Sequence, residues 1–358
     1  MKGIITVYRS DNCGSFLQAF ALQEYVIKNG FDAAMVRYRT SFKLSPLTNE
    51  LKHIIASFVK LRFRTCFLNI KRLINFHKAR DSVFHKTIRI EEADYLIIGS
   101  DTLWNVKDFY FKAKINYYTG VTFPPSVRFS TFSTSIGQSS LDDLSNYRNS
   151  IANLVNADVL SVRDANSYAA VSNIIGREPY ITCDPTLLLL PNEYRKAFGN
   201  DVFNPTSPYI LVYSFDNIDD SFVKKIREYA NAHDLKIVCF DSYKKWADDY
   251  IVSSPRSFIK AFDNASFVVT DTFHGCIFSI IFNKEFITIN RKKNKVFDLL
   301  DHFSLLDRCC STEKDVEKAM SNKIDYRFTN GIIEKDRLFS MNVLKEIFTY
   351  DKTCKSDF

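Results

Sequence analysis

The sequence predicts an α/β protein of two Rossmann-like domains facing each other across a cleft, and three observations carry that expectation. Short apolar, β-branched runs at 3–7, 94–100, 209–214 and 267–270 have the length and composition of strands buried on both faces. Each leads through a polar turn into apolar residues at helical spacing, the alternation that parallel β-α-β units require. That alternation breaks in the proline-bearing stretch 191–208 and then restarts. A chain of 358 residues with 46% hydrophobic content is long enough for two cores of this kind. The expected division is 1–195 with a basic helical insertion at about 43–90, then 205–334, then a helix at 335–358 packing back on the first domain.

In the first half, 3–7 is a strand, 8–14 a polar loop, and a helix opens near Ser15 with Phe16, Leu17, Phe20, Tyr25 and Ile27 on its apolar face. Gly30 closes that helix, and 33–38 is the second strand. The turn Asn12-Cys13-Gly14-Ser15 places backbone N–H groups at a strand's carboxyl end and a helix N-terminus, so Asn12, Gly14 and Ser15 are candidate anion ligands. It has neither the glycine spacing of a dinucleotide fingerprint nor the lysine of a P-loop. Residues 51–80 interleave basic and apolar side chains and predict one or two basic amphipathic helices. Three uses fit them: lying on an anionic membrane surface, gripping a phosphorylated substrate, or packing on the body with the basic side solvated.

The strand at 94–100 ends at Ser100 and Asp101, with Trp104 and Asn105 just beyond. Either Trp104 offers its face to a sugar while the neighbouring polar groups bond hydroxyls, or it belongs to the core. A strand at 127–135, a helix at 142–154 and a strand at 159–162 follow, the last ending at Arg163, and Asp164 caps a helix over 165–175. Arg163 either clamps a planar anion or makes a surface ion pair.

The second half alternates strands at 209–214, 236–240, 267–270 and 286–290 with helices at 220–233, from Pro255 with Ser254 as N-cap, after His274, and at 294–303. From Ser266 to Arg291 the pattern is strand, polar turn Asp271-Thr272-Phe273, then His274-Gly275 and a helix carrying Cys276, Ile277, Ser279, Ile280 and Phe282. Ligands of open α/β sheets sit beyond the carboxyl ends of strands, so His274 is placed for acid/base chemistry and Gly275 for close approach. The alternative is a histidine that only caps the helix.

The cysteines are scattered without a Cys-x-x-Cys pair and no two histidines flank a carboxylate at i, i+4, so neither a disulfide framework nor a bound metal is expected. No cofactor and no nucleic-acid module is expected either. No apolar run reaches signal-peptide or membrane-spanning length, which predicts a cytoplasmic protein, soluble or peripheral on the inner membrane face. The net charge of +7 is uneven: between residues 43 and 89 the only acidic residues are Glu50 and Asp81.

Several blocks together resemble the polysaccharide pyruvyl transferase family over most of the chain. They are Gly3-Ile4-Ile5-Thr6 with Asn12 to Ala19, Asp94 to Asp101 with Leu103-Trp104-Asn105, Ser161-Val162-Arg163-Asp164, Asp184-Pro185-Thr186-Leu187-Leu188, and Thr270 to Gly275. The resemblance implies a two-domain fold akin to GT-B glycosyltransferases and transfer of pyruvate from phosphoenolpyruvate onto two sugar hydroxyls as a ketal. It implies His274 as general acid/base, Arg163 as the donor's anion clamp and Arg291 as a second cation. Asn12, Gly14, Ser15, Thr272 and Gly275 would line the donor, and Ser100, Asp101, Trp104 and Asn105 the acceptor. Some members have an arginine two residues before the histidine, where this chain has Thr272; Arg291, Arg9 or Lys292 would have to substitute. The acceptor so implied is a cell-surface polysaccharide or its lipid-linked oligosaccharide precursor. A nucleotide-sugar glycosyltransferase and a glycan-binding protein without turnover are the competing expectations.

Overall fold

A computed structural model describes residues 1–37, 63–84, 86–199, 207–289 and 294–353. The chain divides into two compact units, the first formed by Met1–Lys43, Arg80–Leu189 and Glu334–Phe358, the second by Leu44–Ala79 and Leu190–Ile333. The sequence-based division differs in placing the whole of 43–90 with the first unit. The helix Phe63–Val83 belongs to both, and its ion pairs show why: Arg72 meets Asp241 of the second unit at 3.2 Å, whereas Arg80 pairs with Asp11 of the first.

The first unit is built on a seven-stranded parallel sheet in the order β3-β2-β1-β4-β5-β6-β7. Its strands are β1 (Lys2–Ile5), β2 (Ala33–Val36), β3 (Thr87–Ile88), β4 (Tyr95–Asp101), β5 (Arg128–Thr134), β6 (Ser161–Val162) and β7 (Tyr180–Ile181). All seven residues of β4 are buried, as a strand covered on both faces must be. The helix Cys13–Lys28 begins two residues before the expected Ser15, because Asn12 is the N-cap. It packs so closely on β4 that a Cβ at Gly99 would lie 2.5 Å from Leu22 Cδ2. The helix expected at 142–154 is instead broken into Leu141–Leu144, Ser145–Tyr147, Arg148–Ala152 and Asn153–Asn156. Polar residues at 142, 143, 145 and 146 give its early part little apolar face to hold it straight.

The second unit repeats the plan with β8 (Tyr209–Tyr213), β9 (Lys236–Phe240), β10 (Asp249–Ile251), β11 (Phe267–Thr270), β12 (Phe286–Ile289) and β13 (Cys309–Cys310) in the order β10-β9-β8-β11-β12-β13. All its pairings are parallel. Aliphatic side chains such as Ile210, Val212, Ile226, Ile237, Val269 and Ile287 share one core. A separate aromatic cluster forms around Tyr213, whose ring meets Phe240, Phe258 and Phe262. The stretch 191–208, where the alternation breaks, opens with the helix Pro191–Phe198, where proline at the first position lacks the N–H the helix would leave unpaired anyway. Both sheets have the strand order of a doubly wound fold, in which the order reverses between β1 and β4 and again between β8 and β11. Ligands of open α/β sheets bind at such reversal points, which makes these two the candidate sites.

Candidate functional site

In the second unit, the reversal point is organised by three side chains of the β11 turn. Thr270 Oγ1 donates to the Tyr213 carbonyl at 2.7 Å, tying β11 to β8, and accepts the Thr272 N–H at 3.1 Å. Thr272 is the N-cap of the helix Phe273–Ile281, its hydroxyl accepting the Gly275 N–H at 2.9 Å. The helix lies so near these hydroxyls that a Cβ on Gly275 would sit 2.1 Å from Thr270 Oγ1 and 2.6 Å from Thr272 Oγ1. Packing and capping thus account for Thr272 and Gly275 as structural residues of this turn. Because Thr272 is the cap, His274 is not, and the capping alternative for the histidine falls. His274 is the second residue of that helix and is partly exposed between buried Phe273 and Gly275.

Asp271 is buried and braces the neighbouring loop: its Oδ1 accepts the Phe215 N–H at 3.1 Å and its Oδ2 the Asp216 N–H at 2.9 Å. The Asp216 carbonyl in turn accepts from Lys244 Nζ at 2.8 Å and from Ser214 Oγ at 3.0 Å. Loops following β8, β9 and β11 therefore converge on the dipeptide Phe215-Asp216. Lys244 is buried, and burial holds its pKa below the ordinary lysine range against the opposing pull of Cys239, Asp271 and Asp216. Sequence reasoning missed it, because 241–248 reads as a polar surface turn with nothing to distinguish Lys244 from Lys245. Arg291 and Lys292 lie outside the described residues.

The reversal point of the first unit is held mainly by uncharged groups. Thr6 Oγ1 donates to the Ser100 carbonyl at 3.1 Å, joining β1 to β4, and accepts from the fully buried Gln18 Nε2 at 3.0 Å. The Asn12 side chain accepts the N–H groups of Gly14 at 2.8 Å and Ser15 at 3.2 Å. The donors assigned from sequence to an anion are thus already engaged by the helix's own cap.

Asp101 ends β4 with φ of +78°, in the left-handed region that costs a residue with a Cβ roughly 1 kcal/mol. One carboxylate oxygen accepts the Thr102 N–H at 2.7 Å; the other, and the Ser100 hydroxyl, are buried without a hydrogen-bond partner among the described residues. Trp104 is a correction to the sequence reading. It is wholly buried, with its indole N–H donating to the Tyr118 carbonyl at 2.7 Å, and so belongs to the core and offers no face to a sugar. Asn105 Oδ1 is taken by Ser139 Oγ at 3.0 Å and by the Lys107 N–H at 3.2 Å.

Arg163 is neither an open clamp nor a surface pair. Its side chain is 4% exposed and its Nη1 lies 3.0 Å from Asp184 Oδ2, while Asp184 Oδ1 caps the following turn by accepting from Thr186 N and Oγ1. An anion at Arg163 would have to compete with that carboxylate. Among the described residues, no group of three or more His, Cys, Asp or Glu is placed to hold a metal, and no helix is long and apolar enough to cross a membrane.

Comparison with solved structures finds the same fold in proteins of distant sequence. A Listeria monocytogenes protein named as a UDP-N-acetylglucosamine 2-epimerase is 9% identical with a TM-score of 0.57, the match covering 98% of this chain and 96% of that one. The S. aureus MnaA–UDP complex is 14% identical with a TM-score of 0.53, over 98% of this chain and 97% of that one. The kitacinnamycin glycotransferase is 8% identical with a TM-score of 0.50, over 98% of both chains. These likenesses establish a two-domain, GT-B-like α/β architecture. No curated protein matches the chain. The family model for polysaccharide pyruvyl transferase matches residues 12–293, a span that includes both reversal points from Asn12 through Asp101 to Gly275. This chain therefore belongs to the polysaccharide pyruvyl transferase family.

Proposed function

We propose that the protein transfers pyruvate from phosphoenolpyruvate onto two hydroxyls of one sugar in a cell-surface polysaccharide or its lipid-linked precursor. The observation that carries the reading is His274, on a helix locked to β11 by Thr270, Thr272 and Gly275, at the reversal point of a family member's second sheet. A partly exposed histidine on so fixed a mount suits proton transfer at a defined atom. In the proposed reaction one sugar hydroxyl attacks C2 of the enolpyruvyl group while C3 takes a proton, giving an oxocarbenium-like state as the C2–O bond to phosphate breaks. The second hydroxyl closes the ketal. Of the two hydroxyl protons, one ends on the new methyl group and the other on the released phosphate.

Ser100 and Asp101 are the proposed hydroxyl ligands in the first unit, since each keeps a buried oxygen without a protein partner among the described residues. Arg163, bound to Asp184, is proposed to hold that pair of loops in place, with contact to the donor's charge only where the donor displaces the carboxylate. The experiment is a phosphate-release assay with phosphoenolpyruvate and bacterial lipid-linked oligosaccharides, with ketal formation read by mass spectrometry. Absence of ketal together with sugar transfer from a nucleotide-sugar would replace the reading by the glycosyltransferase one. Neither product, from folded protein, would favour a non-catalytic glycan binder.

For the lipid-linked acceptor we propose a membrane contact through the helix Phe63–Val83. Phe67, Ile70 and Ile74 are exposed on it at i, i+3 and i+7, beside exposed Lys71 and Lys78. Flotation with anionic vesicles at low salt is the test, and failure to float defeats the contact.

A further inference from the structure

We infer that Lys244 is the cation that holds the phosphate or carboxylate of a ligand bound at the carboxyl end of the second sheet. Lys244 is 8% exposed although its neighbours Tyr243 and Lys245 both lie open to solvent, so the chain turns this one side chain inward. Lysine is almost never buried without acceptors for its charge. Its ammonium has three donors, and among the described residues it has one acceptor, the Asp216 carbonyl at 2.8 Å, and no direct ion pair.

The charges around it leave that need unmet. Asp271 acts on Lys244 through space, but its two oxygens are turned to the Phe215 and Asp216 N–H groups. Asp216 offers its carbonyl, which Ser214 Oγ already shares. Of the described cations on the loops after β8, β9 and β11, Lys244 is the buried one, and Thr272, on the same rim, has its hydroxyl engaged in the helix cap. An anionic oxygen supplies what Lys244 lacks: a compact ammonium on a flexible stem serves phosphate or carboxylate as a point charge. Burial strengthens that attraction by removing competing water.

Which molecule carries the anion rests on the proposed function; that an anion binds here does not. The test is isothermal titration of phosphoenolpyruvate, UDP and inorganic phosphate into the wild type, Lys244→Met and Lys244→Arg. At least one probe is expected to bind the wild type, and to bind Lys244→Met about tenfold to a hundredfold more weakly, with Lys244→Arg between them. Should Lys244→Met lose its fold, Lys244→Gln takes its place, since it keeps a donor for the Asp216 carbonyl and removes only the charge. Equal affinity in wild type and charge-free variant overturns the inference, as does failure of all three probes to bind folded wild type. UDP binding that depends on Lys244, with no binding of phosphoenolpyruvate, would retain the cation and defeat the pyruvyl-donor reading. Phosphoenolpyruvate binding indifferent to Lys244 would do the reverse.

Discussion

The two reversal points share a strand order and differ in what joins their strands. In the first unit, β1 and β4 are linked through the hydroxyl of Thr6 and the amide of Gln18, and charge enters through Asp101, held in a left-handed backbone conformation, and through Asp11 on the loop after β1, paired with Arg80. In the second, β8 and β11 are linked by Thr270 and by the buried carboxylate of Asp271, with the ammonium of Lys244 on the adjoining loop. The first ties its two central strands together through neutral groups, the second through a buried carboxylate with a buried ammonium beside it. On the proposed function the same topology would serve two kinds of recognition, set by a few side chains at each strand end.

The contrast can be broken at several points. The largest expected effect is on the buried pair Arg163–Asp184 of the first unit: Arg163→Ala takes that guanidinium from Asp184 and should cost about 3–5 kcal/mol of stability. Urea unfolding measures it, and a loss below about 1 kcal/mol would show that the pair contributes as little as a surface one. Next comes the second unit's chemistry. His274→Ala should lower turnover at least about 100-fold with the folded state intact, and unchanged turnover in a purified, folded variant would remove His274 from proton transfer.

The smallest effect sharpens the first site. Asp101→Gly relieves the left-handed backbone but removes the carboxylate, so stability should hold or rise by up to about 1 kcal/mol while affinity for the sugar acceptor falls. Undiminished acceptor affinity would make Asp101 a turn residue only. Asp101→Asn separates charge from hydrogen bonding at the same position.

Much of this was legible in the sequence. The strand at 267–270, the polar turn, and the histidine opening the next helix appear where the apolar run and the helical spacing put them, because local periodicity is a property of consecutive residues. Caps were legible at Asp164 and Ser254, since an N-cap acts over three residues. The short strands β3, β10 and β13 were not, having two or three residues each and too little pattern of their own; they exist because a neighbour offers an edge.

The site divides in the same way. By itself the sequence determined the alternation of strands and helices, the family, and the position of His274 after a strand, all of which depend on residues close together in the chain or on the order of motifs. Only the tertiary structure decided that Trp104 is core, that Arg163 belongs to Asp184 twenty-one residues on, and that Lys244 turns inward to a carbonyl twenty-eight residues earlier. Whether a side chain is buried, and which charge answers it, depends on segments brought together by the sheet. That information is in the sequence as a whole and in no single stretch of it.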